Sequence, residues 1–131
     1  MGKRSAQLGR ILKVQLQLRR EAEASLGRLN ARRAFLENME VELVTSRGAG
    51  DPRDSALAAM AGDRLRWLER DLKENEGARS SCEARWRKLA QSSLATERLQ
   101  DQARALEMKE DERRSLEDIL AQAELARTSL P

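Results

Sequence analysis

Apolar residues recur along most of this chain at steps of three and four, the spacing of one face of an α-helix. From Leu8 such steps visit Leu8, Ile11, Gln15, Leu18, Ala22, Ser25, Leu29, Arg32, Leu36, Met39 and Leu43. Eight of these eleven are apolar, which makes a heptad seam kept over five repeats. The pattern breaks at Ser46-Arg47-Gly48-Ala49-Gly50-Asp51-Pro52, where two glycines and a proline within five residues predict a turn. Asp54 or Ser55 can then cap a second helix, whose seam runs Ala58, Ala61, Leu65, Leu68, Leu72, Asn75, Arg79, Cys82, Trp86 and Leu89. Beyond Leu89 the stripe moves by about one position, to Leu99, Leu106, Arg113, Leu116, Leu120 and Ala123, which predicts a bend or a local change of winding.

Two apolar stripes joined by a short loop predict an all-α fold, a long antiparallel two-helix coiled-coil hairpin. Its expected extent is a single unit over residues 1–131, with helix 1 about 4–45, the turn 46–53 and helix 2 about 54–127. Folding back about residue ~50 sets Leu8 opposite residue ~93, so helix 2 extends past the start of helix 1 from Glu97 onward. Leu99, Leu106, Leu116, Leu120 and Leu125 are then left without a partner on helix 1, the mark of an intermolecular contact. Polar Gln15, Ser25, Arg32, Asn75 and Arg79 in the seam, and glycines at 9, 27, 62 and 77, predict a marginal pairing. The i, i+4 pairs Glu69–Lys73, Glu83–Arg87 and Glu110–Arg114 support each helix but do not select its partner.

Composition narrows the chemistry. Ala, Leu, Glu, Lys and Arg make 79 of 131 residues while Val and Ile total five, a balance that excludes a β-rich fold. His and Tyr are absent and Cys82 is the lone cysteine, so most groups that act as acid, base or nucleophile near neutral pH are missing. No imidazole exists to activate Cys82, whose immediate neighbours are Ser80, Ser81, Glu83 and Ala84. No clustered His or Cys offers a transition-metal site, and Glu110-Asp111-Glu112 lacks the loop of a calcium site. Phosphate-binding glycine loops are absent too. The expectation is a protein without enzymatic activity, cofactor, metal or small-molecule substrate. The longest apolar run, Ala56 to Ala61, falls far short of a membrane span, and the basic start has no apolar core of a signal peptide. With one cysteine, this predicts a cytoplasmic setting.

Charge is uneven. Residues 1–33 carry nine Lys or Arg against Glu21 and Glu23, a balance of +7, whereas residues 97–127 carry nine acids and six bases, or −3. The hairpin would bring these opposite fields together at its open end, where a charged partner can be addressed. Phosphate contacts by the basic stretch would make a nucleic-acid binder, but no interleaved aromatics or reading-head motif accompany them. A membrane-surface helix lacks Trp or Phe on its apolar face. A homodimeric coiled-coil scaffold is a further alternative, with the extension pairing with its own copy. Packing is the default role for Trp67, Trp86 and Phe35. A helix pair is nevertheless too thin to bury an indole, and Trp67 is the better interface candidate.

Four features together resemble the FliJ type of stalk protein from the flagellar type III export ATPase complex, whose fold is similar to the two-helix coiled coil of the ATP synthase gamma subunit. They are a first helix of about forty-five residues starting near the amino terminus and a Gly/Pro turn near residue 50; Arg64-x-x-Trp67 with Trp86-Arg87 and Leu89 farther on; and Arg114-x-x-Glu117-Asp118 before Ile119. Stalks of non-flagellar secretion systems look similar. The resemblance implies a non-enzymatic stalk or escort subunit that enters a hexameric export ATPase and links it to the cytoplasmic domain of the export gate and to export chaperones. It stays peripheral to the membrane through those partners. On that implication Arg4, Leu8, Arg10, Leu116, Leu120 and Leu125 face the ATPase ring, while Phe35, Arg64, Trp67 and Leu68 meet the gate or chaperones.

Overall fold

The computed structural model describes residues 2–49 and 55–129, and it contains two α-helices, α1 (Lys3–Ala49) and α2 (Ser55–Thr128). Strong helix formers fill both, and the proline at 52 falls between them. α1 continues through Ser46–Ala49, which the sequence assigns to the turn. The helix does not end at the first glycine, because a single glycine costs about 1 kcal/mol and does not by itself stop a helix. The remainder of the expected turn and the Asp54 cap lie outside the described residues. The chain divides into two compact units, one formed by Leu18–Ala90 and one by Met1–Gln17 with Gln91–Pro131. Each unit pairs a stretch of α1 with a stretch of α2.

In the Leu18–Ala90 unit the partner positions fall along α2 as they rise along α1. The Cys82 thiol donates to the Ala22 carbonyl at 3.5 Å, the Asn75 amide to the Leu29 carbonyl at 3.1 Å, and Arg32 approaches Asp71 at 3.9 Å. Leu36 and Leu68, each about 1% exposed, are the fully buried side chains of the interior. The seam of α1 differs from the expected one at Arg32, which is exposed, while Arg33 is turned inward. At 3.6 residues per turn an i+4 neighbour lies closer to its origin's face than an i+3 neighbour does, so Arg33 follows Leu29. It pairs with Glu37 at 2.9 Å and across the helices with Glu76 at 3.5 Å. Glu76 also receives Arg79 at 3.1 Å; this hydrogen bond holds the Glu76 carboxyl below the usual carboxylate range and raises the Arg79 guanidinium. Trp86 is half-buried, its indole N–H donating to Glu23 at 3.1 Å and its ring 5.4 Å from the Arg19 guanidinium. Of the expected i, i+4 pairs Glu83–Arg87 forms at 2.8 Å, whereas Glu69 and Lys73 form no ion pair among the described residues.

In the second unit the interior is polar. Ser93, Thr96, Gln100 and Ala103 are the buried positions of α2, and Glu107 follows them half-buried. Their spacing of three and four is that of an unshifted seam, so the predicted move of the stripe after Leu89 does not occur. Leu94, Leu99 and Leu106 are exposed instead. Burial follows the phase of the helix, and no inserted residue resets that phase. Thr96 donates to the Ser92 carbonyl at 2.9 Å and Gln100 to the Ser5 carbonyl at 3.3 Å, which satisfies those two, whereas the buried Gln15 Oε1 has no partner among the described residues. Gly9 makes room for the Gln100 side chain, since a Cβ there would stand 2.7 Å from the Gln100 amide nitrogen. Leu12, not Ile11, is the inward residue after Leu8, by the same i+4 geometry.

The start of α1 is fastened to Glu107, whose carboxylate accepts the Ser5 N–H at 3.2 Å and the Ser5 hydroxyl at 2.7 Å. Helix starts leave N–H groups unpaired and carry partial positive charge, and α1 has no acidic residue in its first turn. Glu107 therefore acts as a cap supplied from the other helix. The contact also places the end of α1 later on α2 than expected. The extension begins after Glu107, not at Glu97, and every residue from Met108 to Thr128 is exposed.

Candidate functional site

Two surfaces collect the residues singled out from the sequence. In the Leu18–Ala90 unit, Met39, Glu42, Leu43 and Ser46 of α1 and Arg64, Trp67 and Leu68 of α2 line a groove of about 440 Å³. Leu68 is the buried floor and Trp67, 47% exposed, is a wall. Among the described residues Arg64 and Glu42 make no ion pair, so the groove presents an indole face, an apolar floor and one charge of each sign. That arrangement suits an apolar anchor with a charged neighbour. Phe35 does not line it. The ring is 52% exposed, against the packing role expected from sequence, and stacks 5.5 Å from the Arg32 guanidinium. Local pattern does not give the α1 lining, which depends on how the two helices pack against each other.

The second surface lies in the other unit. Arg4 and Arg10 are exposed on α1 and form no ion pair among the described residues, while Leu8 is half-buried in the helix contact. On α2, Leu116, Leu120 and Leu125 are exposed, at 61%, 67% and 69%. At about 100° per residue Leu116 and Leu120 share a face, and Leu125 projects about half a turn away. Ile119, also exposed, belongs with the first two, a placement its i+3 spacing from Leu116 could have given. A shallow depression along α2, from Arg104 through Met108 to Leu116, has walls from one helix only. It does not enclose a small molecule. Glu110 receives Arg113 and Arg114 at 4.0 and 3.8 Å, exposed pairs of little energetic weight.

Among the described residues no three His, Cys, Asp or Glu side chains gather as metal ligands, and no helix is long and apolar enough to cross a membrane. No family model, curated protein or solved structure matches the chain.

Proposed function

We propose that the chain is a stalk or escort subunit of a bacterial type III export apparatus, acting as an antiparallel coiled-coil hairpin and working without enzymatic chemistry of its own. One observation carries the reading: α2 runs on beyond the capped start of α1 as an exposed helix bearing Leu116, Ile119, Leu120 and Leu125. Beside its base stand the cations Arg4 and Arg10, exposed and without an ion pair among the described residues. A slender end that combines apolar side chains with both charge signs suits insertion into the central opening of a hexameric ATPase. The sequence resemblance to the FliJ type supplies the identity of that ring. The groove of Arg64, Trp67, Leu68 and Met39 then serves the export gate or export chaperones. In this role the protein works in the cytoplasm, held at the membrane by its partners.

Tagged protein recovered from its own source cell, with and without nuclease, tests the reading by what co-purifies. Recovery of an export ATPase with gate or chaperone components, insensitive to nuclease, is expected. Recovery of nuclease-sensitive material alone would refute the stalk assignment and give the functional role to the basic start of α1.

A further inference from the structure

The face of α2 shared by Leu116, Ile119 and Leu120 continues to Ala123, with Glu112 and Arg127 closing it at either end. At about 100° per residue these six fall within an arc of about 100°. That arc lies about half a turn from Gln100, Ala103 and Glu107, the positions that α1 covers. The stripe thus looks away from the intrachain partner, and lengthening α1 would not cover it. Glu112 and Arg127 form no ion pair among the described residues, whereas neighbouring Arg113 reaches Glu110 and Glu117 at 4.0 and 3.8 Å.

We infer that this stripe docks a second copy of the chain, with the two α2 ends antiparallel about a twofold axis between Ile119 and Leu120. Charge decides the occupant and the direction. In that register Ile119 meets Leu120 of the second copy, Leu116 meets Ala123, and Glu112 meets Arg127, each contact occurring twice. Larger side chains oppose smaller ones at the outer layers, and the two charges left unpaired within one chain become each other's partners. Parallel in-register pairing would instead set Glu112 on Glu112 and Arg127 on Arg127. The twofold closes the assembly at two copies, because both use the same patch. Four apolar side chains from each copy make a small contact, so the dimer belongs to the weak, exchangeable class and yields to a tighter partner.

Sedimentation equilibrium of the full chain from about 1 µM to about 1 mM measures the association directly. Ile119→Glu, Glu112→Arg, Arg127→Glu and the double exchange Glu112→Arg/Arg127→Glu are compared with the natural sequence. The three positions changed are all exposed, and circular dichroism confirms that helix content is kept. A monomer–dimer equilibrium is expected, weakened at least ~tenfold by Ile119→Glu and by either single exchange, and restored to within ~threefold by the double exchange. A strict monomer throughout, a dimer indifferent to Ile119→Glu, or failure of the double exchange to restore what the singles remove would each overturn the inference. Export ATPase is absent from the measurement, so its result is independent of the stalk assignment.

Discussion

Replacing Glu107 by alanine removes the cap that α2 lends to α1. The first turn of α1 holds Lys3 and Arg4, cations at the end of the helix where positive charge is already concentrated. Against them stands one carboxylate, with oxygens 3.2 Å from the Ser5 nitrogen and 2.7 Å from its hydroxyl. Losing a capping acceptor costs about 0.5–2 kcal/mol. Losing a carboxylate from a helix start costs about 0.3–1 kcal/mol where water reaches the site. The two overlap, because one group supplies both, so the expected loss is about 1–2 kcal/mol, confined to the first two turns. Amide hydrogen exchange reads this locally: protection at Ser5–Leu8 should fall about 5- to 30-fold, with Leu29–Leu36 unchanged. Glu107→Gln keeps an acceptor oxygen without the charge and should fall between. Unchanged protection at Ser5–Leu8, or an equal loss along the whole of α1, would refute the cap.

Glycine substitutions should separate according to what a new methyl meets. Gly27→Ala enters open space and should raise the melting temperature through about 0.5–1 kcal/mol of helix propensity, whereas Gly9→Ala, 2.7 Å from the Gln100 amide, should lose most of that gain. Leu68→Ala should lower stability by about 2–5 kcal/mol in urea unfolding, while exposed Leu99→Ala should stay within about 0.5 kcal/mol. A large cost at Leu99 would mean that the apolar stripe, not the polar seam, faces α1. Arg79 lowers the Glu76 carboxyl pKa, so the stabilisation is present above the unfolded glutamate value of about 4.3 and is lost as pH falls through the folded value. The urea midpoint should therefore drop more steeply on acidification for the natural chain than for Glu76→Gln, and parallel curves would contradict the assignment.

The two helices and the apolar interior around Leu36 and Leu68 were legible because a period of three and four with few β-branched residues leaves little else to form. What misled was the assumption that leucines mark the covered face. After Leu89 they do not: Ser93, Thr96 and Gln100 take the interior, with Thr96 donating to the Ser92 carbonyl and Gln100 to the Ser5 carbonyl of α1. Sequence periodicity registers apolar side chains and is blind to a polar residue whose partner arrives from another helix. The point where the extension begins was misplaced for a related reason, since the Ser5–Glu107 contact joins residues that no local pattern connects. At the groove, Trp67 was recognisable by its type, but its α1 walls depend on pairing register. Phe35 shows the converse, an aromatic at a near-seam position that turns outward to Arg32.

The most direct measurement titrates the export ATPase of the source organism with the natural chain and with Leu116→Asp/Leu120→Asp, following ring assembly by light scattering and turnover by phosphate release. Both positions are exposed, so the double variant keeps its fold. The stalk assignment predicts that the natural chain promotes assembly and raises turnover, and that the variant binds at least ~tenfold more weakly. An ATPase whose assembly and turnover ignore the natural chain would contradict it.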